Sequence, residues 1–158
     1  MRRARGIKLL LLQEPDMSKD KPDHHDAEIV MKLYDLRREA VIRASRDAIA
    51  KFAPTTYDEF IAVTKPEHPF NAAYRQTASY WEMVYGMARH EIVNAEYLVE
   101  NSGEGLILYT KVAQFLPRYR EEVWPLAFQH TEWVATHTKS GKRLVERFQA
   151  WFQPATKR

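Results

Sequence analysis

His90-Glu91-Ile92-Val93-Asn94 comes within one residue of a zinc-protease pattern. In that pattern two histidines one helical turn apart grip the metal while the glutamate activates water. Asn94 is a poor zinc ligand and stands where a helix is expected to begin, so the segment reads as a polar corner between helices. Zinc analysis of the purified protein is expected to give well under one equivalent. His24-His25-Asp26-Glu28 has donors for a loose metal site, but reads as a solvated helix start whose acids suit the helix dipole. His130 and His137 share a face with Trp133 and Val134 two turns apart, as rim histidines beside an aromatic core do.

Other chemistries lack their parts. The chain has no cysteine, which removes disulfides, a thiolate nucleophile and thiolate-held zinc or iron–sulfur clusters. Ser140-Gly141-Lys142-Arg143 has a Gly-Lys pair without the upstream glycine of a phosphate loop. Neither a Gly-x-Ser-x-Gly elbow nor the Glu-x-x-His pair of di-iron bundles occurs. The arginine-to-histidine spacing of small helical ribonucleases is missing as well. No catalytic residue, metal ligand or cofactor-binding residue is assigned, and no cofactor is expected.

One polar constellation remains. Arg75, Glu82 and Arg89 are seven apart, so they drift only about 20° per step along one helix face, with Ser79 and Gly86 between them. The plain reading is a solvent-facing stripe. The sharper one encloses Glu82 between Trp81 and Met83, where a carboxylate needs a charged partner or strong donors. Arg89 is too far along the same helix, which leaves Arg118 or Arg120, beyond Pro117, as partners from another helix. The candidate cluster is therefore Arg75, Glu82, Arg89, Arg118 and Arg120. Enclosure predicts a cost of about 3–5 kcal/mol for Glu82→Ala, an exposed stripe a change within about 0.5 kcal/mol.

The elements that must position these residues are helices. Ile29, Leu33, Leu36, Ala40, Ala44, Ala48 and Phe52 recur at three- and four-residue steps, predicting one helix from Asp23 or Asp26 to Phe52. Thr56 with Glu59 three residues on predicts a capped short helix, closed before the two prolines of Lys65-Pro66-Glu67-His68-Pro69. Phe70, Tyr74, Thr77, Trp81, Val84 and Ala88 form the best-patterned face, with Ala73, Tyr80, Met83 and Met87 as a second apolar edge; this helix is expected at the centre. Asn94 caps a short helix through Glu100. Leu106 to Leu116, Arg118 to Val123, Leu126 to His137 and a last helix from near Ser140 complete the set, with Pro125 kinking or restarting the chain and Pro154 stopping it. No period-two stretch competes. The fold class is all-α, a single-domain bundle of six to eight helices including short ones. The domain is expected over 23–153, between an N-terminal tail, 1–22, and a C-terminal tail, 154–158.

Charge sits at the ends. Residues 1–16 carry four basic side chains against two acidic ones, and 139–158 carry six against one, so the +3 chain has a net negative middle. Nucleic acid is not an expected partner, because its binders concentrate basic residues on a structured face. Arg2, Arg3 and Arg5 before Ile7 and Leu9–Leu12 imitate a signal peptide, but no small-residue cleavage pattern follows and the run is far too short to cross a bilayer. An over-extended start, dispensable for folding, is the expectation for 1–16; a membrane surface is not an expected partner.

Tyr74-Arg75-Gln76-Thr77-Ala78-Ser79-Tyr80-Trp81-Glu82-Met83-Val84, followed by Asn101-Ser102-Gly103-Glu104, Leu108-Tyr109-Thr110-Lys111 and Leu116-Pro117-Arg118-Tyr119-Arg120, resembles a family of helical bacterial proteins with no assigned activity. The resemblance spans about residues 30–137. It differs at the Arg89-His90-Glu91 corner, where the family has glycine in place of Glu91. It implies fold and boundaries, not function. The expected function is a helical protein-interaction or oligomerisation module, cytoplasmic, pairing with itself as a homodimer or with another protein. A small enzyme or ligand-binding protein with a polar inter-helix pocket around Glu82 is the alternative.

Overall fold

A computed structural model describes residues 19–152. The expectations for 1–16 and for the tail 154–158 lie outside the described residues. The chain is all-α and single-domain, as its patterning predicts. Its helices are α1 (His24–Arg37), α2 (Ala40–Lys51), α3 (Tyr57–Val63), α4 (Asn71–Arg89), α5 (Ala95–Asn101), α6 (Leu106–Val112), α7 (Leu116–Glu122), α8 (Gln129–His137) and α9 (Lys139–Phe152). Tight 3-10 turns over Gly103–Gly105 and Ala113–Phe115 lead into α6 and α7.

Local signals decide several helix starts. Thr56 Oγ1 accepts from the Glu59 N–H while the Glu59 carboxylate accepts from the Thr56 N–H, the reciprocal cap read from the sequence. Asn94 Oδ1 accepts from the Tyr97 N–H at 2.9 Å and opens α5. Pro117 lies in the first turn of α7, where its missing N–H costs nothing.

The long first helix is corrected. It breaks at Arg38–Glu39, where Glu39 adopts extended backbone (φ −60°, ψ 146°). No glycine or proline marks the break; its reason is tertiary, since α1 packs on α5 whereas α2 packs on α4. The break rotates the buried stripe of α2 onto Ser45 and Ile49, with Ile42 half-buried beside them, leaving Ala40 and Ala44 exposed. A second correction concerns α8, which starts at Gln129 and not at Leu126 because Trp124 to Phe128 form turns.

Helix α4 is central, with α2 and α8 on either side. Tyr74, Trp81, Val84 and Ala88 of its predicted face are buried. Phe60 anchors an aromatic cluster, stacked on Phe115 at 5.7 Å and edge-on to Tyr119 at 5.1 Å. Helices α6, α8 and α9 pack together to close the other side.

Candidate functional site: a groove between helices α4 and α8

The polar stripe of α4 is neither wholly solvated nor enclosed. Arg75, Ser79 and Arg89 are exposed, Glu82 is half-buried and Gly86 is buried. Gly86 belongs there because its missing side chain admits the His130 ring, whose Cδ2 would lie 3.3 Å from any Cβ at that position. Glu82 then faces the start of α8. Its carboxylate accepts the N–H groups of His130 at 3.2 Å and Thr131 at 2.8 Å, and the Thr131 hydroxyl at 2.6 Å. Phe128, the residue before α8, offers no side-chain cap. Glu82 supplies one from a different helix, and the helix dipole favours its negative charge there.

The expected arginine partners lie elsewhere. Arg118 pairs with Glu122 one turn along α7 at 2.7 Å and lies 4.0 Å from the centre of the Tyr57 ring. Arg120 binds Glu132 of α8 at 2.8 Å and the Ala127 carbonyl at 2.9 Å, bracing the corner between α7 and α8. Arg89 reaches Gln129 Oε1 at 3.4 Å, and Arg75 has no ion pair among the described residues. Of the five, only Glu82 lines the groove; Arg75 and Arg89 flank it on α4.

The groove has a volume of about 630 Å³. Its floor is Tyr74, Ala78, Gly86, Ala127 and Phe128, with Glu82, His90 and His130 at its polar side. Its rim is Met83, Ile92, Trp124 and Leu126, exposed by 56%, 51%, 54% and 53%. The rings of His90 and His130 meet edge to face at 5.5 Å. Burial pushes the His130 pKa below the usual histidine value against the pull of Glu82, with Arg89 and His90 adding to the depression. Its Nδ1 is buried without a partner. The Glu91 corner that sets Ile92 on the rim has φ 59°, the left-handed region, so Glu91 adopts the conformation a glycine would take freely.

Other features escape sequence reasoning. Asp26 is not solvated: its side chain is fully buried, paired with Lys19 at 2.8 Å, and accepts the N–H groups of Asp23 and Asn94. His24, His25 and Glu28 point outward around it. The one signal that could have marked Asp26 is its position three residues after Asp23, which makes the pair a capping box. Leu126, read as the first residue of a helix, and Trp124, between two predicted helices, become rim residues only because Pro125 and the left-handed Phe128 turn the chain over the groove. Among the described residues no three His, Asp or Glu side chains converge as a metal site would require.

No curated protein and no solved structure matches the chain. One family model does, over residues 22–138, and that segment contains both the Tyr74–Val84 helix and the Leu116–Arg120 segment. The match covers most of the chain: it belongs to the family described as "Domain of unknown function (DUF4760)".

Proposed function

We propose that the protein is a helical interaction module whose groove between α4 and α8 docks an amphipathic helix bearing acidic side chains. The observation that carries this is the meeting of Met83, Ile92, Trp124 and Leu126, each more than half exposed, around one groove. Apolar exposure gathered at one place marks a docking surface where scattered exposure does not. The charge of Glu82 is already spent on the start of α8, whereas Arg75 and Arg89 flank the groove as cations. An acidic flank on the partner complements them. A second copy of the chain brings the same two arginines to the interface, which favours a different protein over a homodimer.

The test is fluorescence anisotropy with two labelled amphipathic peptides, one with a Leu face and a Glu face, the other with Lys replacing Glu. Saturable binding of the acidic peptide alone, weakened by Arg89→Glu and by Trp124→Ala, supports the reading. Equal binding of both peptides, no binding, or sedimentation as a dimer that Trp124→Ala dissociates overturns it.

A small ligand in the same groove is the second reading, favoured by the unpartnered Nδ1 of His130. Cytoplasmic location and bacterial origin accompany the proposal, supported by a cysteine-free chain and by the resemblance drawn from the Tyr74–Val84 helix. Among the described residues no helix is long and apolar enough to cross a membrane.

A further inference from the structure

A second cavity, of about 310 Å³, lies between α2, α4 and α6 and shares no lining residue with the groove. Its walls are Ile42 and Ile49, Tyr80 and Trp81, and Ile107 and Leu108. One end is charged. Arg37 Nη1 lies 3.4 Å from Glu104, and Arg46 pairs with the other oxygen of the same carboxylate. Two cations share one anion, so a positive charge remains uncompensated beside an apolar chamber. The Arg37 side chain is only 13% exposed, its Nε is buried without a partner, and its guanidinium stands 5.8 Å from the centre of the Trp81 ring. Arg46 is 43% exposed, which puts the charged end at the mouth.

An apolar chamber with a cationic mouth fits a molecule that is apolar along its body and anionic at one end. Guanidinium groups recognise carboxylates through charge-assisted hydrogen bonds, and the free Nε–H of Arg37 is one donor still to be satisfied. We propose that this cavity binds a monocarboxylic acid of about ten to fifteen non-hydrogen atoms, with the carboxylate at Arg37 and Arg46. Its aliphatic or aromatic body lies against Trp81, Ile49 and Ile107. The inference is independent of the groove between α4 and α8: either site can fail without the other.

The test is calorimetric titration of the full chain with octanoate, octanol and octylammonium. Octanoate should bind at one equivalent, at least about tenfold more tightly than octanol, and octylammonium should not bind. Arg46→Gln should weaken octanoate about tenfold and leave octanol unchanged, while Glu104→Gln, which removes the competing carboxylate, should tighten octanoate. Nuclear Overhauser contacts from octanoate to the Trp81 indole place it in the cavity and decide the matter even where a variant does not fold. Equal affinity for octanoate and octanol, no saturable binding, or contacts to Met83 and Leu126 in place of Trp81 overturn the proposal.

Discussion

Among the described residues, two non-glycine residues hold left-handed backbone, Glu91 at φ 59° and Phe128 at φ 55°. Phe128 is buried, so its ring stabilises the core against that cost. Glu91 is exposed and gains nothing comparable. Because left-handed backbone costs an L-residue about 1–2 kcal/mol, Glu91→Gly is expected to raise stability by about 1 kcal/mol in a urea melt, and a loss contradicts the strain argument. Glu82 calls for a different variant. It is half-buried and caps α8 through three hydrogen bonds, so Glu82→Ala should cost about 2 kcal/mol, between the values expected for an enclosed and a solvated carboxylate. Glu82→Gln keeps an acceptor and should cost less; a urea melt of the pair shows whether capping is the role.

At the level of elements, carboxylates from one helix repeatedly satisfy the start of another. Glu82 of α4 serves α8, Asp26 of α1 takes the Asn94 N–H where α5 begins, and Glu96 of α5 takes the N–H groups of Lys139 and Ser140 at the start of α9. Thr138 Oγ1 accepts the next α9 donor, the Gly141 N–H, at 2.9 Å. These contacts answer the orphan donors every helix start exposes, and at the same time fix which helices are neighbours. At Gly141 α9 passes close to α8, since a Cβ there would be driven into the Val134 carbonyl oxygen. That oxygen belongs to the backbone of α8 and cannot swing away. Gly141→Ala should therefore destabilise by about 1–3 kcal/mol in a denaturant melt, although alanine is the better helix former.

For the whole molecule, those contacts predict acid sensitivity. Burial would raise the Asp26 carboxyl, but Lys19 and the N–H groups of Asp23 and Asn94 outweigh it and hold it below the usual carboxylate value. Glu96 follows the same pattern, with burial opposed by the N–H groups of Lys139 and Ser140. A carboxyl depressed in the folded state binds fewer protons folded than unfolded as the pH falls. Its contribution is complete above the unfolded value of about 4 and is lost as the pH falls through the lower folded value. The melting temperature should begin to fall below about pH 6.5, where the depressed His130 starts to resist protonation, and drop more steeply below about pH 5; Asp26→Asn should lower the plateau and flatten only the lower drop. An unchanged profile in that variant removes Asp26 from the explanation.

Helix identity was legible because it rests on short-range physics. The apolar steps of α4, the Thr56–Glu59 cap and the Asn94 cap involve residues three or four apart, and each forms as its spacing predicts. Glu82 also stood out, as a carboxylate between Trp81 and Met83 on a stripe with small residues. Its partners did not, because the donors that hold it lie 48 and 49 residues away: two are backbone N–H groups that no residue type advertises, and the third is the Thr131 hydroxyl, one of many in the chain. The break before α2, the burial of Asp26, the grouping of Met83 with Trp124 and the convergence of Arg37 and Arg46 on Glu104 share that cause. A charged or apolar residue has the same letter whether water, a helix start or another side chain meets it, and only the packing of distant helices decides among them.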